Sequence, residues 1–159
     1  MRTLDVDWLD LELAFRDATG TESYLDLDSG EVVSVVPGFS DEAELKDIIA
    51  RDPERYVLLE PIDTRFARDV MRRFTERMPE GTLRRRLFAA ERKTGAYTRS
   101  LAILREDEAV LASYHRFEQA AFWDHVERYL SERGVAPETP APGVELFEGP
   151  AALGARRSG

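Results

Sequence analysis

Apolar residues along the chain recur with two periods, and the switches between them mark the elements. Trp8, Leu11 and Phe15 fall at i, i+3 and i+7, which predicts a helix from about Val6 to Asp17, stopped by Gly20. Ser23–Leu27 and Val32–Val36 are strand-like runs separated by Asp28-Ser29-Gly30-Glu31. Asp bonds its own backbone in a turn and Gly accepts positive φ, so this stretch predicts a β-hairpin. Leu25 and Leu27 alternate with Tyr24 and Asp26, which predicts one wet face. Pro37-Gly38 ends the second strand.

Ser40 is the expected N-cap of a helix reaching about Arg51, with Leu45, Ile48 and Ile49 as its buried edge. Tyr56–Ile62 reads as a third strand, with Pro61 at its end. Asp63 or Thr64 then caps a helix to about Met78. Its apolar stripe is Phe66, Val70, Met71, Phe74 and Met78, and Arg65, Arg68, Arg72, Arg73 and Arg77 take the other side. A second basic helix covers about Thr82 to Lys93, with Leu83, Leu87 and Ala90 inward. A short helix from Ala96 places Tyr97, Leu101 and Leu104 together. The last helix, about Asp107 to Arg133, ends at Gly134. Its apolar residues spread too widely for a narrow stripe. That spacing predicts either a broad buried face, the favoured expectation, or a bend near Glu118–Ala121.

The order of elements predicts an α+β fold: a small antiparallel three-stranded sheet, hairpin plus one strand, packed with a mostly helical C-terminal half. The expected organisation is one domain over 1–134. Residues 135–159, rich in Pro, Gly and Ala, are expected to be a disordered tail in which Val144–Phe147 could dock on the domain or on a partner.

Composition narrows the chemistry. The chain has 159 residues, enough for a real core, and no cysteine. Disulfides, cysteine-ligated zinc, iron–sulfur clusters and thiol catalysis are thereby excluded. No stretch approaches the roughly 20 apolar residues of a membrane span. The start of the chain turns acidic at once, so the expectation is a cytoplasmic protein without a secretory leader.

Charge is segregated. Residues 1–63 carry 5 basic and 17 acidic side chains, 64–105 carry 12 and 4, and 106–159 carry 5 and 10, for a total of −9. The acidic and basic blocks are expected to neutralise each other locally. The alternative is that Arg72, Arg73, Arg84, Arg85, Arg92 and Arg99 form a polyanion-binding surface. Arg84, Arg85 and Arg86 are consecutive and fan over about 200° of a helix, so they cannot all face one partner. No helix-turn-helix, RRM or KH pattern accompanies them, and a net −9 repels nucleic acid at long range.

Catalytic signatures are absent: there is no G-x-S-x-G, no H-E-x-x-H, no G-x-x-x-x-G-K-[ST] and no G-x-G-x-x-G. His115 and His125, ten residues apart on one expected helix, lie about 15 Å apart along its axis and cannot share a metal. His115 with Glu118 would offer only two ligands, so both histidines are expected to be half-buried packing groups. Asp26 and Asp28 resemble one end of a hard-cation site, but the turn already employs Asp28. No catalytic residue, metal ligand or cofactor is expected.

Tyr24-Leu25-Asp26-Leu27-Asp28-Ser29-Gly30-Glu31-Val32 resembles the YLDxxTGEV hairpin of a bacterial family of unknown function, uncharacterised protein family 0158. Further segments follow in the family's order. Trp8 lies in the leading helix. Arg55-Tyr56 through Pro61 resembles its RYxxIP strand, Met71 and Phe74 its MxxF, and Gly95-Ala96-Tyr97 with Arg99 its GAFRRF. Phe117 and Tyr129-Leu130 fall where it has WxxF and a terminal WL. Ser29, Thr98, Ser100, Tyr114 and Tyr129 depart from the pattern. The resemblance covers about 6–134 and implies an α+β fold. It implies no activity, cofactor or catalytic residue.

These observations lead to an expected non-enzymatic binding or regulatory module acting through protein–protein contact. A nucleic-acid-associated protein is the alternative, and a hydrolase without a recognisable motif is a second one.

Overall fold

A computed structural model describes residues 1–143. In chain order these form β1 (Arg2–Leu4), α1 (Trp8–Arg16), β2 (Glu22–Asp26), β3 (Val32–Val35), α2 (Glu42–Arg51), β4 (Tyr56–Leu59), α3 (Thr64–Arg77), α4 (Thr82–Glu91), α5 (Ala96–Leu104), α6 (Glu108–Glu132) and β5 (Val135–Pro137). The fold is α+β, with the expected three-stranded antiparallel sheet. Two compact units divide the described residues, 1–62 with 125–142 and 63–124 with 143.

The first unit holds the sheet, in the order β3-β2-β4. Tyr24 lies opposite Val33 and Leu58, and Leu25 opposite Val32 and Val57. Residues opposite one another share a face, so Leu25, Val57 and Leu59 project together; Leu25 and Leu59 are buried. Asp7 caps α1 by accepting from the backbone N–H of Leu9 and Asp10. The helix buries Leu11, Ala14 and Phe15, and the Phe15 ring meets Tyr129 edge-on at 5.2 Å.

Three expectations change in this unit. Asp26 is not on a wet face but is buried, because Arg55 follows it there. Helix α2 forms at the expected place, with Asp41 rather than Ser40 at the cap position, but it buries none of its residues. Ile48 is 41% exposed, so its apolar edge is only partly covered. Finally, the composition break at 135 is not the end of regular structure. β5 pairs in parallel with β1, Arg2 N donates to Gly134 O (2.7 Å) and Glu138 N to Leu4 O (2.9 Å). That pairing is backbone chemistry, which a Pro- and Ala-rich composition does not reveal. The apolar cluster Val144–Phe147 lies outside the described residues.

The second unit is helical. Val70, Met71, Phe74, Leu87, Leu104, Tyr114 and Phe117 form its core, with Phe66, Met78, Leu83, Tyr97 and Leu101 partly buried against them. Phe74 meets Tyr114 and Phe117 edge-on at 5.4 and 5.5 Å. The stripe predicted for α3 is the stripe that is buried.

Helix α6 is continuous, as expected, but has two successive buried faces in place of one broad face. Ser113, Tyr114 and Phe117 form one set, and Phe122, Trp123, Val126, Tyr129 and Leu130 the next. At about 100° per residue the two sets point to different sides of the helix, so no single stripe runs its length.

Candidate functional site

The arginines of α3 are aligned by its core. Asp63 caps the helix by accepting from Phe66 N (3.0 Å), which sets the phase. With Val70, Met71 and Phe74 inward, Arg65, Arg68 and Arg72 at i, i+3 and i+7 share another face. That face borders a cleft of about 640 Å³ lined by α3, α4 and α5, within the size range of small-ligand and peptide pockets. Phe66, Met71, Leu87, Ala96 and Tyr97 supply its apolar lining, and Thr75 and Ser100 its small polar groups.

Polar groups of this cleft differ in what they already hold. Asp69 accepts from Arg72 (2.8 Å) and pairs with Arg73 (3.1 Å), so two guanidiniums share one carboxylate. The Thr75 hydroxyl donates to Met71 O at 2.9 Å. Arg65 and Arg68 are exposed and make no ion pair or hydrogen bond through their side chains among the described residues. Ser100 is 2% exposed, lines the cleft, and its hydroxyl has no hydrogen-bond partner among the described residues.

Only Arg72 of the six arginines singled out from sequence lines the cleft. Arg73 is half-buried beside Asp69. Arg84 donates to Thr75 O (3.3 Å) and lies over the Phe88 ring (4.9 Å), a structural role. Arg85 donates to Thr82 Oγ1 (3.3 Å), and Arg99 to Thr94 O (2.9 Å). Arg92 is exposed at the end of α4. Arg86 pairs with Glu106 at 2.7 Å. These partners lie within the helical unit, nine residues away or fewer except for Glu106, which is 20 from Arg86. Arg65 and Arg68 were missed as site residues, although their i, i+3, i+7 spacing with Arg72 was legible.

The hairpin carboxylates are held by a guanidinium. Arg55 Nε and Nη2 donate to Asp26 Oδ1 (2.9 Å) and Oδ2 (2.8 Å), and Arg55 also pairs with Asp28 at 3.3 Å. Asp26 accepts from Asp28 N as well, at 2.9 Å. The Arg55 hydrogen bonds outweigh the opposing effect of burial and hold the Asp26 carboxyl at about 2. Arg55 is correspondingly pushed up, mainly by its hydrogen bond to Asp26. Among the described residues no group of three or more metal-ligand side chains converges.

His125 is half-buried with its ring edge-on to Phe15 at 6.2 Å, as a packing histidine should be. His115 departs from that expectation: it is exposed, beside the Tyr114 ring at 5.8 Å, and does not line the cleft. No described helix is long and apolar enough to cross a membrane.

The segments behind the family resemblance have distinct fates. YLDLDSGEV is β2, its turn and the start of β3, and Arg55 to Pro61 contains β4. Met71, Ala96 and Tyr97, from the MxxF and GAFRRF matches, all line the cleft. No family model matches the chain, and no solved structure does. The chain is 25% identical over 149 residues to a UPF0158 protein of Pseudomonas aeruginosa, across 93% of this chain and 94% of that relative. Hairpin, motif order and this nearly end-to-end match agree, and the chain is similar to a UPF0158 protein, of an uncharacterised family.

Proposed function

We propose that the protein is a non-enzymatic binding module that acts through protein–protein contact, and that the partner seats in the α3–α4–α5 cleft. The carrying observation is a cleft of about 640 Å³ that combines an apolar part with Arg65 and Arg68, which have no ion-pair partner among the described residues. Its volume falls in the range of clefts that hold ligands. The test is a random peptide library selected on the full chain, with the selected peptides titrated into isotope-labelled protein. Amide shifts centred on Phe66, Met71, Leu87 and Tyr97 support the reading. Shifts confined to other residues, or no selected peptide at all, end it.

Nucleic-acid association is the second reading, favoured by the exposed Arg85, Arg92, Lys93 and Arg99. Residues 63–124 carry 13 basic and 10 acidic side chains, a small local excess in a chain of net −9. Binding would weaken steeply as salt rises. No mobility shift of DNA or RNA at ~50 mM salt, where phosphate contacts are strongest, sinks it.

A further inference from the structure

We infer that the cleft takes an acidic peptide segment carrying a bulky apolar side chain, its carboxylates along α3 and its apolar anchor on Phe66 and Tyr97. This rests on the reading of the cleft as the binding site and adds the chemistry of what fills it.

Charge complementarity selects the occupant. Three acids line the cleft beside three arginines. Asp69 is shared by Arg72 and Arg73, and Asp63, which accepts from the first turn of α3, keeps its charge at that end of the helix. Along α3 the unmet groups are therefore the guanidiniums of Arg65 and Arg68, one turn apart. Guanidiniums one turn apart match carboxylates spaced along a short segment, and a guanidinium grips a carboxylate by two parallel N–H donors. The third acid, Glu91, belongs to α4. It repels anionic groups from that wall and so fixes the polarity of the segment along α3.

The lining supplies the second half of the argument. Phe66 and Tyr97 are half-buried and offer the cleft an apolar seat, while Met71 and Leu87, at 5% and 1% exposure, belong to the core that supports it. The Ser100 hydroxyl lines the cleft and has no hydrogen-bond partner among the described residues, so it is free to donate to a guest. A peptide carbonyl can accept that bond. A bare phosphate would use the arginines and leave the apolar seat empty.

The experiment measures fluorescence anisotropy with the full chain and three probes. The first is a short labelled peptide in which Glu alternates with Leu and Phe. The second has Gln for every Glu, and the third is a short RNA of mixed sequence. The acidic peptide is expected to bind at least about tenfold more tightly than the Gln peptide, a difference two charge-assisted contacts readily supply. Arg65→Gln with Arg68→Gln, both exposed on α3, should erase that preference. Glu91→Gln should strengthen the acidic peptide, and Ser100→Ala should weaken both peptides alike. Equal binding of the two peptides overturns the acidic class and leaves the cleft reading standing. Acidic-peptide binding that ignores the double variant overturns it as well, as does tighter RNA binding through the same two arginines. If neither peptide binds, the cleft reading falls with it.

Discussion

Arg55 reaches back 29 residues from the start of β4 to hold Asp26 at the end of β2 by two hydrogen bonds, at 2.8 and 2.9 Å. The pair fastens the hairpin turn to its neighbouring strand. Asp26 O also accepts from Gly30 N (2.7 Å), and Leu27 N donates to Arg55 O (2.8 Å), so side chains and backbone close the same corner. The acid-rich motif of the resemblance is thus accounted for by a structural tie.

That tie makes stability depend on acid. The folded Asp26 carboxyl titrates at about 2, below its ordinary 3.8. Its contribution is therefore fully present above about pH 4 and is lost as pH falls toward 2. Thermal melts from pH 7 to 2 should show a steeper fall for the natural chain than for Asp26→Asn. Parallel curves for the two proteins below pH 4 would contradict the assignment.

Gly30 is required by two independent constraints. Its φ is +82°, and a Cβ there would collide with the backbone carbonyl of Asp5. Gly20, at φ +87°, has open space around it. Gly20→Ala should cost about 1–2 kcal/mol from the left-handed backbone alone. Gly30→Ala should cost clearly more, because backbone must move. Denaturant unfolding of both variants checks this, and equal losses would refute the close approach.

Phe74 and Ile48 both sit on predicted apolar faces, yet only one is core. Phe74 is fully buried between Tyr114 and Phe117, so Phe74→Ala should cost about 3–5 kcal/mol. Ile48 is 41% exposed on a helix that buries no residue, so Ile48→Ser should stay within about 0.5 kcal/mol. Urea midpoints give both numbers.

Tyr129 stands where the resembled WL pattern has tryptophan, and it uses a hydroxyl that tryptophan lacks. Its Oη donates to Leu58 O (2.7 Å) and accepts from Glu60 N (3.2 Å), and the Arg133 guanidinium lies 3.3 Å from its ring centroid. Tyr129→Phe keeps the packing and removes both hydrogen bonds. The expected loss is about 1–3 kcal/mol, read from thermal unfolding. An unchanged midpoint would mean that water replaces the hydroxyl at no cost.

Local spacing alone determined much of this protein. The hairpin was legible because Asp-Ser-Gly-Glu between two strand-like runs has one economical backbone path. The stripe of α3 was legible because five apolar residues at 3.6 spacing have one face to share. The arginine row beside it follows from the same phase. Tertiary structure alone decided what those periods could not carry. Whether an amphipathic face meets a partner is not a local property, and so α2 was misjudged. Whether a carboxylate is wet depends on a guanidinium arriving from elsewhere, as at Asp26. The pairing of β1 with β5 joins residues 133 apart through backbone groups that every sequence possesses. The cleft, too, arises only when α3, α4 and α5 are assembled, because no one helix contains it.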